Sequence, residues 1–147
     1  MLRVAVIGLG NMGRFHASKY VLNSDVDLVA ICDHGIKEPT VLIENVEVPV
    51  YNNLENLFQA HNVQAVSIAS PTSTHYKVAK QCIEKGVHCL IEKPIAESVE
   101  QSNELIERAQ SNNLVLTVGH IERFNPAVIK VKECIDNGLL GPVSYTH

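Results

Sequence analysis

Three stretches of this 147-residue chain combine residue types and spacings that do chemistry. The first is Gly8-Leu9-Gly10-Asn11-Met12-Gly13, a G-x-G-x-x-G spacing. In such a loop the first glycine permits a tight turn and the second leaves bare backbone for a diphosphate. The third lets the following helix pack closely on the preceding strand. Asn11 and Met12 begin that helix, where unpaired N–H groups and a partial positive charge face an anion. Glycine-rich turns also occur as plain punctuation, so the loop alone does not fix a ligand. The second stretch ends at Asp33, about 20 residues on, where a dinucleotide fold sets an acid on the adenosine ribose; a loop carboxylate capping a turn is the alternative. A carboxylate on the ribose hydroxyls repels a 2′-phosphate, and only Lys37 follows closely as a cation, so NAD is favoured over NADP. The third stretch is Glu92-Lys93-Pro94. A lysine at the mouth of a buried strand calls for a ligand or a carboxylate, and its proline admits a cis bond. A solvated lysine beside a turn proline is the competing reading.

These residues need strands to deliver them. Leu2 to Ile7 is an almost unbroken apolar run, as expected of a parallel strand buried on both faces. Phe15, Lys19 and Leu22 space a helix that stops near Asn23-Ser24, and Val26 to Cys32 makes a second strand ending at Asp33. Residues 34–47, with Pro39, leave room only for a short helix or a loop. Val48 to Tyr51 is a third strand, followed by a helix through Leu54, Leu57 and Phe58. Val63 to Ala69 is a fourth strand that delivers Ser70-Pro71-Thr72. A Ser73-Thr74 cap then starts a helix carrying His75, with Gly86 as its C-terminal stop. Val87 to Ile91 is the fifth strand and leads into Glu92. Ser98 and Gln101 form a capping box for the next helix, with Leu105, Ile106 and Ala109 as its buried stripe and Glu104–Arg108 as a surface pair. Leu114 to Val118 is the sixth strand; Asn125 caps and Pro126 opens a last helix through Val128, Val131 and Ile135 to Gly138.

Strands alternating with helices at these lengths predict an α/β fold with a doubly wound parallel sheet. Ligands of such sheets bind beyond the carboxyl ends of the strands. Four of the five strand ends carry polar or special-backbone residues: the glycine loop, Asp33, Ser70 to Thr72, and Glu92 to Pro94. His75, one turn into its helix, reaches toward the same edge or lies on the surface. Arg14 sits beside the diphosphate position or is an exposed helix arginine. Arg123 and Asn125 precede the last helix and face the cleft, though Asn125 is already explained as a cap. His16, His34, His61 and His88 have no evident partner in the sequence and read as structural. No metal-ligand set emerges.

Twelve Lys and Arg against sixteen Asp and Glu give a net charge of −4, with no basic run for nucleic acid. No apolar stretch approaches the roughly 20 residues of a membrane span, and glycines interrupt the N-terminal apolar run. The chain therefore reads as cytoplasmic, without a membrane partner. Cys32, Cys82, Cys89 and Cys134 show neither a C-x-x-C pair nor zinc-finger spacing; Cys32 and Cys89, inside predicted core strands, read as buried small hydrophobes, and a disulfide framework is out of place. Gly141-Pro142 forms a turn, and Val143 to Thr146 alternates as a new strand with nothing to pair against, which marks the chain as the front part of a larger protein.

With the glycine loop, Asp33 and Glu92-Lys93-Pro94 in place, the chain resembles the Gfo/Idh/MocA oxidoreductase family. The stretches that carry the resemblance are VAVIGLGNMGRFHA, SIASPTSTHYKVAKQCIEKGVHCLIEKPIA and VGHIERFNPAV. The family joins a Rossmann domain, here residues 1–120, to a substrate domain on a large, mostly antiparallel sheet. Residues 121–147 would supply only that second domain's connecting helix and first strand, the rest being missing. By resemblance, Lys93 is the catalytic residue near nicotinamide and the reacting hydroxyl. Glu92, Ser70, Pro71, Thr72 and His75 line the cofactor, and Arg123 matches a position near the cleft. The implied activity is hydride transfer between NAD(H) and a hydroxyl carbon of a sugar, nucleotide sugar or cyclitol, in a homo-oligomer. The HIERFNP stretch is most similar to members acting on nucleotide-linked amino sugars. The family's Asp-x-x-x-His acid/base element is absent: no Asp here is followed by His four places on. This chain by itself is thus expected to bind cofactor but hardly to turn over. A non-catalytic NAD-binding regulatory module is the alternative, with flavin or S-adenosylmethionine binding a third.

Overall fold

Leu2–Ile7 forms β1, and its apolar run lies at the centre of a seven-stranded sheet. A computed structural model describes residues 1–141 of the chain. The elements follow as α1 (Asn11–Val21), β2 (Val26–Cys32), β3 (Thr40–Ile43), β4 (Val46–Tyr51), α2 (Leu54–Ala60), β5 (Ala65–Ile68), α3 (Thr72–Glu84), β6 (His88–Ile91), α4 (Val99–Ser111), β7 (Leu116–Val118), a 3-10 turn (Ile121–Phe124) and α5 (Pro126–Asp136). The sheet order is β3-β4-β2-β1-β5-β6-β7. Every neighbouring pair is parallel except β3–β4. The fold is therefore the expected α/β, doubly wound arrangement.

Alternation along β1 divides the core. Ala5 and Ile7 face one side with Leu57 of α2, Ala79, Cys82 and Ile83 of α3, and Leu105 and Ala109 of α4. Val6 faces the other side with Ala17 of α1, Ile31, Ile43 and Val48. Crossovers leaving β1 and β5 thus go to opposite faces, and a crevice opens between those two strand ends.

One prediction is corrected. Residues 34–47 do not hold a short helix or a structureless loop. Thr40–Ile43 pairs antiparallel with β4, with Val41 opposite Val48 and Ile43 opposite Val46. The connecting Glu44 and Asn45 have φ of 47° and 66°, the paired positive values that a tight hairpin turn demands. Ile43 and Val48 enter the α1-side core, which fixes the register.

Capping follows sequence closely elsewhere. The Ser98 hydroxyl accepts from Gln101 N–H at 3.2 Å, while the Gln101 side chain accepts from Glu97 N–H, one residue earlier than a full capping box requires. α3 starts at Thr72, slightly before the expected Ser73-Thr74 cap, with Pro71 at the cap position. Asn125 caps α5 by accepting from Ala127 N–H at 3.0 Å, with Pro126 opening the helix. The apolar stripe of α5 stays exposed, Val131 at 52% and Ile135 at 59%, so this helix adds nothing to the sheet's core. The strand expected over Val143 to Thr146 lies outside the described residues.

Candidate functional site

The glycine loop joins β1 to α1, and its three glycines answer three different demands. Gly8 has φ of +88°, and a Cβ there would lie 2.7 Å from the Ser70 backbone nitrogen. Only glycine allows both that turn and so close an approach of the β1 and β5 ends. A Cβ on Gly13 would lie 1.8 Å from the Gly8 carbonyl oxygen, so α1 can begin directly against the turn only without a side chain. Around Gly10 the situation is the reverse: a Cβ would meet nothing within 4 Å. Gly10 occupies the cap position of α1 and offers no side-chain cap. The first-turn N–H groups, at Asn11, Met12 and Gly13, therefore open onto unfilled space, which is what an anion needs at a helix N-terminus.

Asp33 ends β2 beside this loop. Its Oδ2 accepts from Leu9 N–H at 2.7 Å and its Oδ1 from Gly35 N–H at 2.8 Å. The carboxylate is thus clamped to the glycine loop and keeps lone pairs for two further donors. A cavity of about 350 Å³ opens alongside, lined among others by Gly8, Asp33, Ser70, Pro71, Thr74 and Lys77. Cys32, immediately before the acid, is not a nucleophile: burial, and then the charge of Asp33, pushes its thiol up to about 11.

Across the crevice, β5 delivers Ser70, Pro71 and Thr72, and β6 delivers Glu92, Lys93 and Pro94, the last two joined by a cis bond. The Ser70 hydroxyl bonds that of Thr74 at 2.6 Å. His75 is 1% exposed. Its Nδ1 lies 2.9 Å from the Pro94 carbonyl oxygen and its Nε2 2.8 Å from that of Ser70. Both ring nitrogens thus face backbone carbonyl oxygens, one of which accepts the ring N–H, and His75 lies between the two strand-end loops instead of facing the crevice. Glu92 is 7% exposed, whereas Lys93 is exposed and, among the described residues, forms no ion pair.

Arg123 lies apart from this group. It is exposed on the 3-10 turn and borders a surface hollow made with Val128, Ile129 and Lys132 of α5. Asn125 is spent on its cap and a bond to Glu122. Arg14 is exposed on α1. Conversely, His16 was not singled out by sequence, yet its Nε2 donates to Glu92 Oε1 at 2.8 Å. A signal was present: Gly13, His16, Ala17 and Tyr20 fall at helical spacing on the sheet-facing side of α1.

The residues brought together fit a dinucleotide: an open diphosphate cradle, a clamped acid beside it, and a lysine at the next strand end but one. Comparison with known proteins agrees. A family model described as oxidoreductases of the Gfo/Idh/MocA type with an NAD-binding Rossmann fold matches residues 2–120. A UDP-N-acetylglucosamine 3-dehydrogenase of Acidithiobacillus ferrooxidans is 40% identical over 127 residues, 86% of this chain and 39% of that protein. A D-glucoside 3-dehydrogenase of Escherichia coli K12 is 33% identical over 147 residues, 99% of this chain and 42% of that one. The crystal structure of a myo-inositol 2-dehydrogenase from Lactobacillus plantarum superposes with a TM-score of 0.82 at 28% identity, covering 98% of this chain and 43% of that structure. The chain thus spans about two fifths of the length of these relatives.

Proposed function

The chain belongs to the Gfo/Idh/MocA oxidoreductase family, and on that premise we propose that it is the cofactor-binding domain of an NAD(H)-dependent dehydrogenase acting on a hydroxyl carbon of a sugar, nucleotide sugar or cyclitol. The observation that carries the reading is the 2.7 Å bond from Leu9 N–H to Asp33. It holds the Asp33 carboxylate directly against the glycine loop, the placement that a ribose-binding acid beside a diphosphate cradle requires. The same carboxylate favours NAD over NADP, because a 2′-phosphate would bring a second negative charge to it.

Bound nicotinamide supplies the hydride donor or acceptor. This chain's residues bind, orient and handle protons around it. Gly10 and the α1 N-terminus would hold the diphosphate, and Asp33 would accept from the ribose hydroxyls. Ser70, Pro71 and Thr72 form the rim on β5. Lys93, exposed and without an ion pair among the described residues, donates to the reacting oxygen and stabilises negative charge there. By the family resemblance, residues 121–147 would lead into a substrate domain whose acid/base histidine would exchange the hydroxyl proton. The whole protein works as a homo-oligomer in the cytoplasm. Among the described residues no helix is long and apolar enough to cross a membrane.

Titration with NADH, followed by fluorescence, tests the cofactor reading on this chain directly. The full-length protein with Lys93→Ala then tests the chemistry. Turnover is expected to fall by about 10²–10⁴-fold, with NADH affinity held within about threefold. Unchanged turnover would remove the catalytic assignment of Lys93; NADH binding without turnover in the unsubstituted full-length protein would favour a regulatory NAD-binding module.

A further inference from the structure

Glu92 is an acid buried where apolar packing would cost less. It ends β6, is 7% exposed, and has two close neighbours. On one side His16 of α1 donates to Oε1 at 2.8 Å, with both side chains largely enclosed, 14% and 10% exposed. On the other side lies Gly119 at the end of β7, where a Cβ would stand 2.8 Å from Oε1 and 3.1 Å from Oε2. A side chain at Gly119 would push the carboxylate out, and loss of His16 would free it to turn. Its orientation is therefore fixed from two elements. Among the described residues His16 is the one basic group within ion-pair distance of it, and the Tyr20 ring stands 6.3 Å behind the imidazole.

We propose that His16 and Glu92 form a charge-positioning pair that makes this site prefer oxidised over reduced nicotinamide cofactor. The inference rests on the function proposed above. With the ribose on Asp33 at the β2 end and the diphosphate on Gly10, the other half of a dinucleotide extends over the β5 and β6 ends. That is where Glu92 is anchored. The oxidised nicotinamide ring carries one positive charge and the reduced ring none, so a fixed carboxylate acts on one form only. At an effective dielectric of about 20, opposite unit charges still favour the oxidised form roughly tenfold at about 10 Å. Glu92 is the source of the field, and His16 is a positioning residue that holds its direction.

The test uses this chain and measures two dissociation constants: NADH by fluorescence, and NAD⁺ by displacement of NADH. Glu92→Gln keeps size and hydrogen-bonding capacity while removing the charge. It is expected to lower the ratio Kd(NADH)/Kd(NAD⁺) about tenfold, with little change in melting temperature. His16→Ala should lower the ratio in the same direction, and His16→Gln, which retains an N–H donor, should restore much of it. A Glu92→Gln chain that loses affinity for both forms equally, leaving the ratio unchanged, overturns the proposal and makes the pair a simple fastener for α1. An unchanged ratio in His16→Ala overturns the positioning role. If the native chain binds neither form, the underlying cofactor reading falls and takes this one with it, a result distinct from binding without a shifted ratio.

Discussion

Replacing Gly10 and Gly13 separately by alanine should split stability from cofactor binding, because the two positions differ in what surrounds them. At Gly13 a new Cβ lies 1.8 Å from the Gly8 carbonyl oxygen. That oxygen shares its peptide plane with the Leu9 N–H, which is bonded to Asp33 at 2.7 Å, so it cannot swing aside. The turn and the start of α1 must separate by about 1.2 Å to reach even a 3.0 Å contact. Overpacking of this kind costs about 3 kcal/mol, the upper end of the usual range. For a domain of this size that lowers the melting temperature by about 6–12 °C. At Gly10 nothing lies within 4 Å, and φ of −69° suits alanine. Loss of glycine at the cap costs up to about 1 kcal/mol. Restriction of the unfolded chain returns about 0.4–1 kcal/mol. Melting should therefore stay within about 3 °C, while a methyl group in the diphosphate position weakens NADH at least tenfold. Differential scanning fluorimetry and NADH titration read the two effects independently. A Gly10→Ala chain that binds NADH like the native one refutes the cradle; a Gly13→Ala chain that melts normally refutes the contact argument.

Three further outcomes follow from the same geometry. Asp33→Asn should weaken NADH about tenfold and NADPH little or not at all, so the preference between them narrows; equal losses for both would show that the carboxylate does not discriminate at the ribose. His75→Phe removes the ring N–H that the Ser70 or the Pro94 carbonyl accepts, at about 1–3 kcal/mol, and should lower the melting temperature by about 2–12 °C along with NADH affinity. Glu104 is held down to about 2 by hydrogen bonds from Tyr76, Arg108 and Lys80, in that order. A carboxylate depressed on folding stabilises above its ordinary value of 4.5, and that contribution disappears as pH falls toward 2. Glu104→Gln should therefore melt lower than the native chain at pH 6, with the difference closing as the pH is taken down to about 2.

The strands were legible because buried parallel strands write themselves as apolar runs, and the residue that ends each run is the one delivered to the crevice. Gly8, Asp33, Ser70 and Glu92 were located in this way. β3 was not legible, for a specific reason. Its turn is Glu44-Asn45, without the glycine that normally announces positive φ at both positions. Pro39 and Pro49 further disguise the segment, and both are compatible with an edge hairpin. Burial of individual side chains was less legible than element type. The stripe Val128, Val131 and Ile135 correctly implied a helix, but the spacing says nothing about what the stripe meets. His75 and His16 exchange the roles their positions suggested: one is enclosed between carbonyl oxygens, the other reaches across the sheet to an acid 76 residues away. Local spacing carries no information about such long-range polar partners.

Those two histidines also explain how a backbone cradle can be held to the accuracy that ligand binding requires. On the α2, α3 and α4 face, the strands meet apolar side chains, which tolerate repacking because dispersion has little directionality, and His75 of α3 adds directional contacts at the strand-end loops. Over β5 and β6 the opposite face differs: α1 is joined to the sheet by Tyr20 to Ser67 and by His16 to Glu92. Hydrogen bonds weaken steeply with misalignment, so they fix the rotation of α1 about its own axis as apolar contacts cannot. The Gly13 contact with Gly8 fixes its advance along that axis. A rotation of one residue, about 100°, would carry His16 off the sheet and shift the first-turn N–H groups around the axis, out of their places beside the glycine loop. The position of the first-turn N–H groups is thus determined by residues up to two turns apart, and substitutions at His16 or Tyr20 should loosen diphosphate binding without touching the glycine loop.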